Sequence, residues 1–406
     1  QITMLRNHPS LAIWCGGNEI RPAADILKVL RDSLLPALDP GRFFFEYSNH
    51  DSMSLRAHDG PYTIQPDTFF WAHKSWGFNS EVGSVGMGDI ESLKRFLPDS
   101  SLNMPSYDTG SHKWVADRAW QFHKYYSYDS SVYAYGTPQS VKEFAAHAQL
   151  VNYNQYRALM EGARAHMWNW YTGVLEWKTQ NPWTAMVGQM YDVYLDPNAC
   201  LSGMSTGGKP LHVMYNPITK NVMVANDRHE TVRTGLRITT LKTDGTKASD
   251  ISVDSIYTIP PDTCIDLMHF AGTPVNGGFL KLGIAGTGNN DADDNIYWMP
   301  DEHGSYRWLQ NLPPAAMQLH AYAWTPHKEL IVLFINMDPG SMAFFTRVSV
   351  VDKKTKKRVS PYFMSDNYFT IAEGEGRKKI EIGYNADYSI PEKWGEILIC
   401  IEGWNT

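Results

Sequence analysis

Cysteine is scarce in this chain: four among 406 residues, at positions 15, 200, 264 and 400, with no C-x-x-C pair and no metal-ligand spacing. That scarcity argues against a disulfide-stapled scaffold or a zinc ribbon, and the four read as free thiols before disulfides. Long apolar runs are lacking too. None approaches the ~20 residues of a membrane-spanning helix, and the residues after Gln1 do not have the build of a signal peptide, so no membrane partner is expected. Basic blocks are missing: 36 Lys and Arg face 43 Asp and Glu, a net charge of -7, which leaves no footprint for nucleic acid. No N-x-S/T sequon, Ser-His-Asp arrangement or Gly-rich phosphate loop occurs. The start at glutamine leads us to expect that something upstream has been removed.

What the chain has in plenty is aromatic side chains, 13% of residues with 14 Trp. Such rings serve either as large core residues or as platforms for the C–H faces of sugars. The length suits two to four domains. Residues 1–195 mix near-continuous apolar runs, "SLAIWCGG" (10–17), "RFFFEYS" (42–48), "WGFNSEVG" (76–83) and "YTGVLEWKTQ" (171–180), with amphipathic helical stretches at 23–38, 89–97 and 138–167. Buried strands alternating with helices imply a parallel α/β sheet or barrel. From residue 196 onward short alternating strands and turns take over, in two sets of ~100 residues. "HGSYRWLQNLPPAA" (303–316) reads as the linker between them, and each set fits an immunoglobulin-like sandwich.

The first part holds only four or five candidate strands, whereas a closed eight-stranded barrel needs ~200 residues or more. A half barrel with bare edges is untenable in water. Either the sheet is open or another polypeptide completes it.

Two glutamates stand out by context. Glu19 follows Asn18 after "SLAIWCGG", and Glu81 ends "WGFNSE" before "VGSVG". Loops after the C-terminal ends of parallel strands build barrel active sites, so both carboxylates can converge on one cleft, which is the machinery of glycoside hydrolysis. Either glutamate alone could instead cap a helix; the Gly-flanked pair favours the catalytic reading.

At these motifs the chain resembles glycoside hydrolase family 2, and within it the plant-type mannosylglycoprotein endo-β-mannosidases. "RNHPSLAIWCGGNE", "GPYTIQPDTFF", "GFNSEVGSVG", "TGVLEWKTQNPWT", "YDVYLDPNACLSG", "SDNYFTIAEGE" and "IEGWN" carry the resemblance along nearly the whole length. It implies a multidomain α/β and all-β fold: the C-terminal half of a TIM (β/α)8 barrel (1–195), then two immunoglobulin-like β-sandwiches (196–303 and 304–406). It implies Glu19 as general acid/base and Glu81 as nucleophile. Asn18 then bonds the sugar 2-hydroxyl, Trp177 forms the platform under the sugar, Asn181 and Trp183 line the same wall, and Tyr62 holds the nucleophile's geometry. Asn7 and His8 support Glu19, with His8 a buried, hydrogen-bonded ring. Glu176 points to the opposite face of its strand, among helices, and "DKKTKKR" (352–358) is a solvated turn.

Neither step of that mechanism calls for a metal or organic cofactor, because two close carboxylates that cannot both stay ionised supply the nucleophile and the proton. The expected partners are an oligosaccharide or N-glycan and an N-terminal polypeptide that supplies the missing strands. The expected reaction is retaining cleavage of Manβ1-4GlcNAc in the N-glycan core. An exo-β-glucosaminidase, an exo-β-mannosidase and a non-catalytic carbohydrate-binding relative are the competing readings. Asn18 favours a 2-hydroxy sugar over a 2-amino sugar.

Overall fold

The computed structural model describes residues 1–48, 60–74, 77–108, 113–115, 117–125, 128, 131–286, 292–324, 330–338, 340–383 and 397–406. Trp76 of the third apolar run and part of the polar tract after Gly286 lie outside them.

Among the described residues, the first 200 positions hold two separate parallel strand pairs rather than one sheet. β1 (Ile13–Cys15) pairs with β2 (Phe43–Phe45) in the register Trp14 to Phe44. β3 (Phe78–Val82) pairs with β6 (Gly173–Glu176), with a shift between Asn79 and Val82. A small antiparallel hairpin of β4 (Ser106–Asp108) and β5 (Lys113–Val115) lies between them in sequence. All four apolar runs therefore contain strands, but shorter ones than their length suggests. Several strand positions are exposed on the pairs, Ile13 at 43%, Phe43 at 57% and Leu175 at 52%. Bare apolar strand faces of this kind need a covering layer.

The helix Val141–Ala165 is the backbone of this part. Its start carries a capping-box sequence, with Ser140 accepting from the Glu143 amide at 3.2 Å while Glu143 accepts from the Gln139 amide at 2.7 Å. It is buried on nearly every side, packing on α-helices Phe69–Ala72 and Ala199–Gly207. The 23–38 stretch is helical with a π turn at Leu30–Leu34, next to Pro36, which has no N–H to give.

Beyond Lys209 every long element is a strand. β7 (Leu211–Tyr215), β8 (Asn221–Asn226) and β11 (Thr263–His269) form one sheet in the order β11-β8-β7. β9 (Val232–Leu241), β10 (Lys247–Ile259), β12 (Gly278–Gly286) and β13 (Ala292–Met299) form its partner, in the order β10-β9-β12-β13. Val213, Val224, Ile238 and Leu282 fill the space between them. A second pair of sheets follows. One holds β14 (Met317–Trp324), β15 (Leu330–Asn336), β19 (Arg377–Gly383) and β17 (Phe363–Met364), the other β18 (Phe369–Ile371), β16 (Ala343–Asp352) and β20 (Ile397–Glu402). Val332, Phe334, Val348 and Ile380 form their core. Along β15 buried and half-buried residues alternate, the period-2 signature of a sandwich strand.

The expected linker is packed rather than loose. Trp308 and Leu309 are buried in the turn Arg307–Asn311, and Tyr306 stacks on Tyr135 at 4.9 Å. The largest core cluster joins Val85, Met87 and Phe144 to Trp298, Phe344 and Tyr368, so the α/β part and both sandwiches share one hydrophobic mass.

Candidate active site

β3 delivers Glu81 at its C-terminal end. The segment Gly60–Tyr62 runs beside that end with strand-like bonds, Gly60 N–H to Glu81 O at 2.7 Å and Gly83 N–H to Pro61 O at 3.0 Å. This contact brings the Tyr62 hydroxyl to Glu81, where it donates to Oε1 at 3.1 Å. Asn79 fixes the same turn: its Oδ1 accepts from the Glu81 amide at 3.1 Å and its Nδ2 donates to Gly60 O at 3.3 Å. Asn79 is buried, and its role was not read from the sequence; the "FNSE" context places it two residues before a singled-out carboxylate, the one signal available.

Trp177 follows β6 and meets Tyr62 edge-on, with ring centroids 5.1 Å apart. The Trp177 N–H donates to Val82 O at 2.8 Å. Gly83 makes that approach possible, since a Cβ there would sit 1.9 Å from Trp177 O. Glu81, Tyr62 and Trp177 are thus linked through Tyr62: a carboxylate, a hydroxyl that donates to it, and an indole edge-on to the phenol ring. A hydroxyl that donates to one carboxylate oxygen fixes the orientation of the group.

Asn18 and Glu19 sit at the end of the other parallel pair, and both are exposed. The glycine pair before them is required by close backbone contacts, since a Cβ on Gly16 would lie 2.7 Å from Glu46 O and one on Gly17 2.5 Å from Ile20 O. Glu19 has φ of 56°, a left-handed turn that ends the strand line. Its amide donates to Ser48 Oγ at 2.9 Å. Arg42 holds the preceding loop by donating to Leu11 O, Arg6 O and His8 O at 2.5, 2.7 and 3.0 Å. His8 is exposed, not buried as expected, because its backbone carbonyl and not its ring makes the tie to Arg42. Among the described residues no hydrogen bond or ring contact joins Asn18 or Glu19 to the Glu81 cluster.

Asn181 and Trp183 lie on the excursion after Trp177, which Lys178 N–H closes by donating to Gly188 O at 2.9 Å. Asn181 is buried, its Nδ2 donating to Val187 O and Gln189 Oε1 at 3.1 and 2.7 Å, so its amide braces the loop. Trp183 is 37% exposed and packs on Phe122 and His123. Glu176 points away from the cluster, toward Tyr156 and Cys200. Among the described residues its two buried oxygens have no hydrogen-bond partner, and the Tyr156 hydroxyl donates to Ser84 O at 3.4 Å. Burial raises its carboxyl from 4.5 to about 8, against a smaller lowering by Tyr156.

In the turn 352–358 the lysines are exposed, but Arg358 is not; its side chain is 5% exposed and reaches Asp89 and Asp196. All four cysteines are free thiols. A separate cleft of about 740 Å³ opens between the sandwiches, floored by Gly235 and Gly283. Among the described residues it has no aromatic lining, and Lys281 and Arg237 beside it are paired with Glu375 and Asp250.

The family model described as the exo-beta-D-glucosaminidase Ig-fold domain matches residues 295–406. Over its full length the chain is 33% identical to a mannosylglycoprotein endo-beta-mannosidase of Lilium longiflorum, covering 53% of that protein. It is 25% identical to an exo-beta-D-glucosaminidase of Amycolatopsis orientalis over 99% of this chain and 42% of that one. The crystal structure of the exo-chitosanase of Amycolatopsis orientalis superposes with a TM-score of 0.83 at 22% identity, covering 99% of this chain and 52% of that one. A beta-D-mannosidase from Dictyoglomus thermophilum gives 0.73 at 15% identity, covering 99% and 49%. At such identities these two structures show a shared fold. The chain spans about half the length of the curated relatives it matches.

Proposed function

Because the chain belongs to glycoside hydrolase family 2, we propose that it is the C-terminal part of a retaining β-mannosidase of the endo type, cleaving the Manβ1-4GlcNAc linkage of the N-glycan core. The observation that carries this is the Tyr62–Glu81–Trp177 cluster: a carboxylate oriented by a hydroxyl at 3.1 Å, beside an indole that can lie under a pyranose. Glu81 attacks the anomeric carbon and forms a glycosyl ester while Glu19 gives its proton to the departing oxygen. Glu19 then takes a proton from water, whose oxygen releases the sugar from Glu81 with retention. Asn18 bonds the 2-hydroxyl, an interaction that strengthens in the transition state, and Trp183 extends the wall with the loop that Asn181 braces. Retention calls for the two carboxyl groups ~5–5.5 Å apart.

That approach needs the two parallel pairs to be parts of one closed sheet. Residues 1–195 are accordingly half of a (β/α)8 barrel, followed by sandwiches at 196–303 and 304–406, and an N-terminal polypeptide supplies the remaining strands. The exposed Ile13, Phe43 and Leu175 support this, as strand residues that a completed barrel would cover. The second reading, an exo-β-D-glucosaminidase, draws on the Ig-fold match at 295–406; Asn18 and the 33% identity to the lily enzyme favour mannose.

Assaying the assembled enzyme and its Glu81→Gln form on a Manβ1-4GlcNAc-containing N-glycan and on chitosan oligomers decides between them. A β-configured, mannose-terminated product that disappears in the variant is expected. Glucosamine release from chitosan would establish the second reading, and sugar binding without turnover of either would refute both.

A further inference from the structure

Between Glu81 and Asp89 the chain forms no helix, and beyond Val82 it forms no strand, yet every residue from Val82 to Gly88 is buried. The segment is tethered throughout. Ser84 N–H donates to the Tyr156 hydroxyl at 3.3 Å and Met87 N–H to the Tyr128 hydroxyl at 2.7 Å, while Met87 O accepts from Gln149 and Asn152, each at 3.0 Å. At Gly86 a Cβ would fall 2.2 Å from Gln189 N, so the backbone has no room to shift sideways. Its far end is Asp89, which caps the helix Ile90–Leu93 by accepting from Ser92 N–H at 3.0 Å.

Asp89 is also gripped from the last sandwich. Arg358 donates to it in a two-pronged fork, Nη1 to Oδ1 at 2.8 Å and Nη2 to Oδ2 at 2.6 Å, and Arg347 pairs with the same carboxylate. Asp196 bridges both arginines, at 2.7 Å from Arg358 and 3.3 Å from Arg347, and Arg95 joins it at 3.3 Å. With Asp192 this makes three carboxylates against three guanidiniums, and all but Arg95 are nearly or wholly buried. A planar fork fixes direction as well as charge, which a lysine cannot do.

We propose that Arg347 and Arg358 are positioning residues for the Glu81 carboxylate, acting through Asp89 and the buried 82–88 segment, so that the last sandwich sets the geometry of the nucleophile. This rests on the reading of Glu81 as nucleophile. The test is hydrogen exchange with steady-state kinetics on the assembled enzyme carrying Arg358→Lys, with Asp89→Asn as the second variant because it keeps the oxygen that caps Ser92. Lys357→Ala, at the exposed neighbour, is the control. The amides of Gly60, Gly83 and Met87 exchange about tenfold faster in the two variants. Turnover falls about 10–100-fold with KM changed less than about threefold, the pattern of a displaced reacting group. Faster exchange confined to 89–97 and 345–362, or unchanged turnover in a folded variant, overturns the proposal. If a mechanism-based label lands on a residue other than Glu81, the functional reading fails separately, and the exchange pattern still decides whether the latch reaches β3.

Discussion

Replacing Glu176 by glutamine gives a sharp test of how this interior is built. The side chain leaves β6 on the face away from Glu81, and its buried oxygens have no hydrogen-bond partner among the described residues. Burial raises its pKa from 4.5 to about 8, so the folded protein keeps it neutral at neutral pH. In the unfolded chain the same carboxyl ionises near its ordinary value. Below about 4.5 both states hold the proton and stability is unaffected; above it only the folded state does. Stability is therefore lost as pH rises from 4.5 to about 8 and is constant beyond, at about 1.4 kcal/mol per unit. From pH 5.5 to 7.5 that is about 2.7 kcal/mol. Glutamine titrates nowhere in this range, so any cost of its own amide is the same at every pH. The assay is urea unfolding at several pH values, followed by tryptophan emission, with Trp177 adjacent as reporter. Glu176→Gln should gain on the parent steadily from pH 5.5 to 7.5. Parallel profiles for the two proteins would refute the reasoning, because they would mean the carboxyl is solvated in the folded state.

Other perturbations read other parts of the structure. Tyr62→Phe removes the hydroxyl that donates to Glu81, and a hydrogen bond to a charged group is worth about 1.5–3 kcal/mol; kcat/KM should fall by about 10–150-fold, measured on an aryl glycoside. Gly86→Ala forces a Cβ against Gln189 backbone, and thermal unfolding should register a loss of about 1–3 kcal/mol or more. His212 is fully buried; burial pushes its pKa down, but the hydrogen bonds it donates to Asp293 at 2.8 Å and Glu161 at 3.0 Å outweigh that and raise it. A raised folded pKa gives stability that is complete below the unfolded value and is lost as pH rises through the folded one. His212→Gln should thus remove a decline in stability above neutral pH, seen as a melting temperature that no longer falls there. On the proposed reading of Trp177 as a sugar platform, Trp177→Ala should weaken sugar binding, seen as a rise in KM on the N-glycan.

Much of this protein was legible in order along the chain. The "CGGNE" and "NSEVG" motifs mark strand ends because apolar runs break at glycines, and contacts at Gly16, Gly17 and Gly83 leave no space for a side chain. Period-2 alternation marks sandwich strands such as β9 and β15, and the amphipathic pattern of 138–167 marks the long helix. Such features are local: they depend on neighbours within a few residues. Tertiary structure alone decided what depends on distant partners. Nothing in "DKKTKKR" separates Arg358 from its exposed lysines; only the arrival of Asp89 and Asp196, 269 and 162 positions away, draws it into the interior. His8 reads as a buried ring, yet its surroundings leave it exposed. The bond from Tyr62 to Glu81 spans 19 positions and forms because Gly60–Tyr62 runs alongside β3. A sequence fixes which groups are available and where the backbone can bend, whereas burial and charge pairing arise when remote segments exclude water from one another.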